Sequence, residues 1–175
     1  MRLALPAAAL CLASAGPALA LTLSSHDLTA GAPIAAAHIY PRCGGQNVSP
    51  ELSWTGAPAG TRSFVLTMID LDVKPALWSH WIVADLPPAS TGLAAGAKAL
   101  PAGAHAVASN FGEAAYDGPC PPAGSGVHRY ELTIWAMPGA STAIAPDQNA
   151  AQLMARLKAA ALARASLVGT VTAKP

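Results

Sequence analysis

A chain of 175 residues suits one domain rather than two. Only 11% of it is charged, while Pro (16) and Gly (15) are plentiful, which favours short strands and turns over a helical bundle or a disordered tail. Ten Lys/Arg against nine Asp/Glu leave a formal net charge of +1 and no basic stripe, so nucleic acid is excluded as a partner.

The first twenty residues, MRLALPAAALCLASAGPALA, carry Arg2, an apolar run and then Ala18-Leu19-Ala20. This is the pattern of a secretory signal peptide with an A-x-A cleavage site. Cys11 follows Leu10 rather than a small residue, which argues against a lipid-modified cysteine. Cleavage after Ala20 would leave nine basic and nine acidic side chains. No later run approaches the ~20 apolar residues of a membrane span. The expected mature protein, residues 21–175, is a single exported domain, periplasmic or secreted, with no integral membrane segment.

Along that domain, 21–25 and 34–40 read as weak strands. The segment 56–61, GAPAGT, reads as a turn. SFVLTMID, 63–70, is short and apolar on both faces, the pattern of a central strand. HWIVADL, 80–86, reads likewise and stops at Pro87-Pro88. After the loop 117–126, HRYELTIWAM (128–137) alternates, with Tyr130, Leu132 and Ile134 on one face and Arg129, Glu131 and Thr133 on the other. Leu153, Met154, Leu157 and Ala161 lie at helical spacing within 148–165, with Asp147 as the expected N-cap and a break near Ala159. A last weak strand covers 168–172. The expected fold is mainly β, an antiparallel sandwich with one or two peripheral helices.

The stretch IDLDVKPALWSHWIV, 69–83, places Asp70, Asp72 and His80 where the core pattern is strongest, and such groups are costly to bury unpaired. If the strand runs on to Asp72, period two puts both carboxylates on one face. Two adjacent anions call for a nearby cation or a shared proton. His80, across a short turn, can return to the same edge. Further on, DGPCPPAGSGVHRY (117–130) offers Gly118, Gly124 and Gly126 for positive φ, three prolines for stiffness, and His128 and Tyr130 on one strand face. A loop of this kind can turn several N–H groups toward one anion. Cys43 and Cys120 are either a disulfide of an oxidising compartment or two unpaired small hydrophobes, and their spacing does not decide.

Two blocks, the Asn-x-Ser-Pro-x-Leu-Ser-Trp segment at 47–54 and the run from Gly-Pro-Cys-Pro-Pro to His-Arg-Tyr at 118–130, resemble the phosphatidylethanolamine-binding protein family. The likeness is to its bacterial, Raf-kinase-inhibitor-like branch and runs from about Leu23 to about Thr172. It implies a large antiparallel sheet packed on a smaller one, with a C-terminal helix. It also implies a small anion pocket for phosphate-like groups, lined by Asp70, His80, Pro121, His128 and Tyr130. Gly118 and Cys120 would contribute backbone and Asp72 would be an accessory member. Pairing as a homodimer, and action as a regulator or inhibitor of a protein partner, are further implications; in an exported protein a cytosolic kinase is a poor candidate target. The family pattern Asp-Pro-Asp-x-Pro is altered here to DLDVKP, with Leu71 in place of the first proline and Pro75 one place late, which brings Lys74 to the pocket mouth.

On this reading Asp70, with Asp72, holds His80 and His128 oriented and protonated for a small phosphorylated or anionic ligand. Trp78 is expected at the entrance and Trp81 in the core. No cofactor is expected. The alternative reading is a hydrolase with His80 or His128 as general base oriented by Asp70, or with Cys120 as nucleophile. A metal site from Asp70, Asp72, His80 and His128 ranks last, since no His-x-x-x-His spacing supports it.

Overall fold

The structure is a computed structural model that describes residues 20–145 and 149–175. The expected leader therefore lies outside the described residues apart from Ala20, and so does Asp147. Two antiparallel sheets form the body. The smaller has the order β1 (Thr22–Ser24), β2 (Leu52–Thr55), β5 (Gly92–Leu93). The larger runs β6 (His105–Ala106), β4 (Trp78–Leu86), β3 (Ser63–Asp70), β7 (Val127–Met137), β8 (Ala163–Thr172). One helix, α1 (Ala150–Ala160), precedes β8 and so lies near the C-terminus.

The apolar pattern of 63–70 explains the layering. All eight residues of β3 are buried because the strand is central and covered on both faces. Phe64, Leu66 and Met68 face the small sheet, joining Trp54, Trp81, Val83, Leu132 and Ile134. Val65 faces the other way, into a second core formed with Ile82, Trp135, Leu153 and Leu157 under α1. This is the mainly β, two-sheet fold expected from the sequence.

Three local expectations are corrected. The segment 34–40 is not a strand; it contains the 3-10 turn Ala36–His38 and leads into a second, Pro41–Cys43. Its carbonyls at Ala36, Ala37 and Ile39 accept the N–H groups of Gln46, Val48 and Asn47, so the backbone serves the neighbouring loop instead of a ladder. The helix ends at Ala160, beside the expected break near Ala159, but does not restart: 163–165 belong to β8, which pairs with β7 along its whole length from Ala136↔Ala163 to Val127↔Thr172. Asn149 caps α1, its side chain accepting from the N–H of Ala151 at 2.8 Å and of Gln152 at 3.4 Å.

Two bulges bend the β3–β4 pair. Val65 faces both Ala84 and Asp85, and Asp85 takes φ 56°. At the other end Met68 pairs with Trp81 and Ile69 with Ser79, which leaves His80 as the extra residue.

Candidate functional site

Asp70 closes β3 between Trp78 of β4 and Tyr130 of β7, its partners in the register. Because β7 alternates cleanly, His128 and Tyr130 share Asp70's face of the sheet. The carboxylate is 1% exposed and His128 is 4% exposed. The His128 Nδ1–H donates to Asp70 Oδ2 at 2.7 Å. The other oxygen, Oδ1, accepts the N–H of Asp72 at 2.8 Å. A buried charge is thus held by a partner and by backbone, as its burial demands.

Strict alternation from Trp81 would turn His80 toward the helix side of the sheet. The bulge re-aims it, and its ring lies 5.1 Å from that of Tyr130. Its Nδ1 is 2.8 Å from the carbonyl oxygen of Asp117. A carbonyl only accepts, so Nδ1 carries the proton and Nε2 of the neutral ring is an acceptor. Burial pushes the His80 pKa below 6.5. This corrects the expectation that Asp70 holds His80 protonated: Asp70 holds His128, and a main-chain carbonyl holds His80.

Tyr130 packs against both imidazoles, its ring 5.1 Å from that of His80 and 6.5 Å from that of His128. Its hydroxyl is buried and has no hydrogen-bond partner. Burial, with the Asp70 carboxylate nearby, drives its pKa well above the ordinary tyrosine value, so it is a protonated phenol.

In front of these groups is a cavity of about 250 Å³. Asp70, His80, Cys120 and Pro121 line it as expected, joined by Val73, Trp78, Phe111 and Pro122. Phe111 organises the rim, with its ring 5.1 Å from His80, 5.7 Å from Tyr40 and 5.9 Å from Trp78. His128 and Tyr130, also expected in the lining, are not on the cavity wall. Trp81 is in the core at 3% exposure, while Trp78 is 37% exposed.

Asp72 does not join the cavity. β3 stops at Asp70, so the period that would align the two carboxylates ends with it. Asp72 instead forms a forked pair with Arg129, at 2.9 Å to Nε and 2.8 Å to the terminal nitrogen, and also accepts the Arg129 N–H. That guanidinium lowers the Asp72 pKa to about 2. Gly118 is also corrected: it has no positive φ and does not line the cavity. It is a glycine because a Cβ there would sit 2.3 Å from the His38 carbonyl oxygen. Gly124 and Gly126 do take positive φ. Cys43 and Cys120 are joined in a disulfide that closes 77 residues of sequence, so Cys120 has no thiol to act as nucleophile. Among the described residues no group of three His, Cys, Asp or Glu side chains converges as a metal cage.

Asn47 is a positioning residue that the sequence reading passed over. Its amide donates to the Tyr116 carbonyl at 3.1 Å and accepts the Gly118 N–H at 2.7 Å, clamping the segment that carries the Asp117 carbonyl. Its φ is 56°, in the left-handed region that asparagine tolerates, and the available sequence signal was an asparagine in the turn-rich run Gly44-Gly45-Gln46-Asn47. Ser109, which donates to the buried Asp117 carboxylate at 3.0 Å, and Asn110, which ties Ser79, were not singled out either.

Comparison with known proteins bears on the family and the fold. A family model described as phosphatidylethanolamine-binding protein matches residues 24–172. A Mycobacterium tuberculosis protein named as a candidate lipoprotein, LppC, is 39% identical over 150 residues, 86% of this chain and 71% of that protein. The crystal structure of Escherichia coli YbcL, described as a new member of the mammalian PEBP family, superposes with a TM-score of 0.79 at 30% identity, covering 89% of this chain and 98% of that one. A PEBP homolog, CT736 from Chlamydia trachomatis, gives a TM-score of 0.72 at 32% identity over 87% of this chain and 97% of that one.

Proposed function

This chain belongs to the phosphatidylethanolamine-binding protein family, and from that premise we propose that it is a binding protein whose cavity beside Asp70 takes the phosphoryl or other anionic group of a small ligand. The observation that carries the reading is His80: it lines the cavity beside the Asp70 carboxylate, which His128 holds, and its Nδ1 is committed to the Asp117 carbonyl. With Nδ1 committed to Asp117, its Nε2 meets an arriving anion only by taking up a proton, or accepts the proton that a monoanionic phosphomonoester carries. The aromatic rim of Trp78, Phe111 and Tyr40 suits the organic remainder of such a ligand. A protein partner presenting a phosphorylated side chain falls within the same reading.

The leader-like segment 1–20 supports export, in keeping with the lipoprotein name of the mycobacterial relative. No helix among the described residues is long and apolar enough to cross a membrane.

Titrating phosphate and phosphorylethanolamine against intrinsic fluorescence from pH 5 to 8 tests the proposal, because Trp78 lines the cavity. Saturable quenching, stronger at pH 5.5 than at 8 and lost in His128→Ala, is the expected result. A flat response in the unmodified protein across that range would sink the reading.

A further inference from the structure

The cavity at Asp70 has no lysine or arginine on its walls, but its neighbour has both. A groove of about 450 Å³ adjoins it, walled by Arg42, Lys174 and the Cys43–Cys120 bridge. Cys120, Pro121 and Pro122 line both spaces, so they form the partition between them.

The fold brings the two cations together from distant parts of the chain. Arg42 is an exposed member of the 3-10 turn Pro41–Cys43. Lys174 follows β8 and is tied to the glycine loop, since Gly124 N–H donates to the Lys174 carbonyl at 2.8 Å and Ala173 N–H to the Gly126 carbonyl at 2.8 Å. Its ammonium reaches over Gly44, 3.1 Å from the position a Cβ would take there. Among the described residues neither cation forms an ion pair, and no acidic side chain lines the groove. Arg129, by contrast, is neutralised by Asp72. Two uncompensated cations on concave walls concentrate positive potential, and the guanidinium fork matches a carboxylate or phosphate.

Resting on the binding reading above, we propose that Arg42 and Lys174 form a second anionic subsite next to the cavity, across the ridge of Cys120, Pro121 and Pro122. The ligand is then an elongated small molecule with two anionic groups, one in the cavity and one between Arg42 and Lys174. The proline ridge fixes the separation of the two subsites, because each ring locks its own φ. Affinity therefore depends on the length of the spacer between the charges, with one length favoured.

Calorimetry at low ionic strength with inorganic phosphate and with linear alkane bisphosphates of two, four and six carbons tests this. One spacer length should bind at least tenfold tighter than phosphate. Arg42→Gln with Lys174→Gln should abolish that advantage while phosphate affinity stays within twofold, and Lys98→Gln, an exposed lysine elsewhere, should preserve it. Phosphate binding with a bisphosphate series no tighter than twofold overturns the second subsite alone, as does an advantage that survives the double substitution. Failure of phosphate and every bisphosphate to bind overturns the cavity reading and the subsite with it.

Discussion

Asp70 and His128, 58 residues apart in the chain, meet at 2.7 Å with both side chains almost wholly removed from solvent. The contact follows from register: β3 and β7 pair so that Asp70 faces Tyr130, and His128 is the next residue on that face. Removing one member of a buried pair leaves the other uncompensated, at a cost of about 3–5 kcal/mol. Asp70→Ala should therefore lower the urea midpoint strongly and abolish phosphate binding. Asp70→Asn, which keeps the shape and one acceptor, should retain more stability than Asp70→Ala but not the binding. Full binding by Asp70→Asn would show that the charge is not needed.

His80 gives a pH dependence with a definite sign. Its pKa in the fold lies below 6.5 because burial disfavours the charged ring. Below 6.5 the unfolded chain takes up a proton that the folded one refuses, so stability falls as pH drops through that value and levels off once the folded group protonates. The other groups facing this ring are the Asp70 carboxylate, His128 and the Asp117 carbonyl. An anion in the cavity favours protonated His80 and should reverse the trend. Sulfate, whose charge is fixed from pH 5 to 8, should raise the melting temperature more at pH 5 than at pH 8. In His80→Gln the acid-side loss of stability and the pH dependence of sulfate binding should both shrink.

The sequence carried the large strands and the meeting of the 70 and 128 segments, but not the wiring between them. Residues 63–70 and 128–137 were legible because burial on both faces and clean alternation leave period signals in residue type. β5 and β6, with two residues each, are too short to show any period. The bulge at His80 has no sequence mark, so the side chain's direction could not be read from its neighbours. Asp72 was grouped with Asp70 because alternation assumes that the strand continues, and here it ends at Asp70, two residues short of Asp72. Gly118 was read for backbone freedom, whereas its smallness answers to a segment nearly eighty positions earlier.

Asp72 lies outside the cavity. Its pair with Arg129 is on the surface, with side-chain exposures of 25% and 57%, and such pairs contribute little. Asp72→Asn should change the urea midpoint slightly and leave phosphate affinity within twofold. A tenfold loss of affinity would restore Asp72 to the ligand site.

The Cys43–Cys120 bridge closes 77 residues and anchors the cavity wall to the turn that follows Tyr40. By chain entropy a loop of that size is worth about 4 kcal/mol. Cys43→Ser with Cys120→Ser, in the chain lacking residues 1–20, should lower stability by up to that amount. The unsubstituted form of that chain should show no free thiol in denaturant without reductant. Two reactive thiols there would mean the bridge does not form.

Gly118 and Gly124 predict opposite outcomes within one loop. At Gly118 a Cβ would meet backbone on every side, 2.3 Å from His38 O, 2.7 Å from Tyr40 N and 2.8 Å from Ile39 C. None of these atoms can swing aside, so Gly118→Ala must move the 116–118 segment, at about 3 kcal/mol. That segment carries the Asp117 carbonyl that orients His80, and phosphate affinity should fall at least tenfold with it. At Gly124 a Cβ meets nothing within 4 Å, and only its φ of 72° is strained. Gly124→Ala should cost about 1–2 kcal/mol and leave phosphate affinity unchanged. Guanidine melts and phosphate titrations of the two variants check the contrast; equal affinities would show that the loop's placement does not set the site.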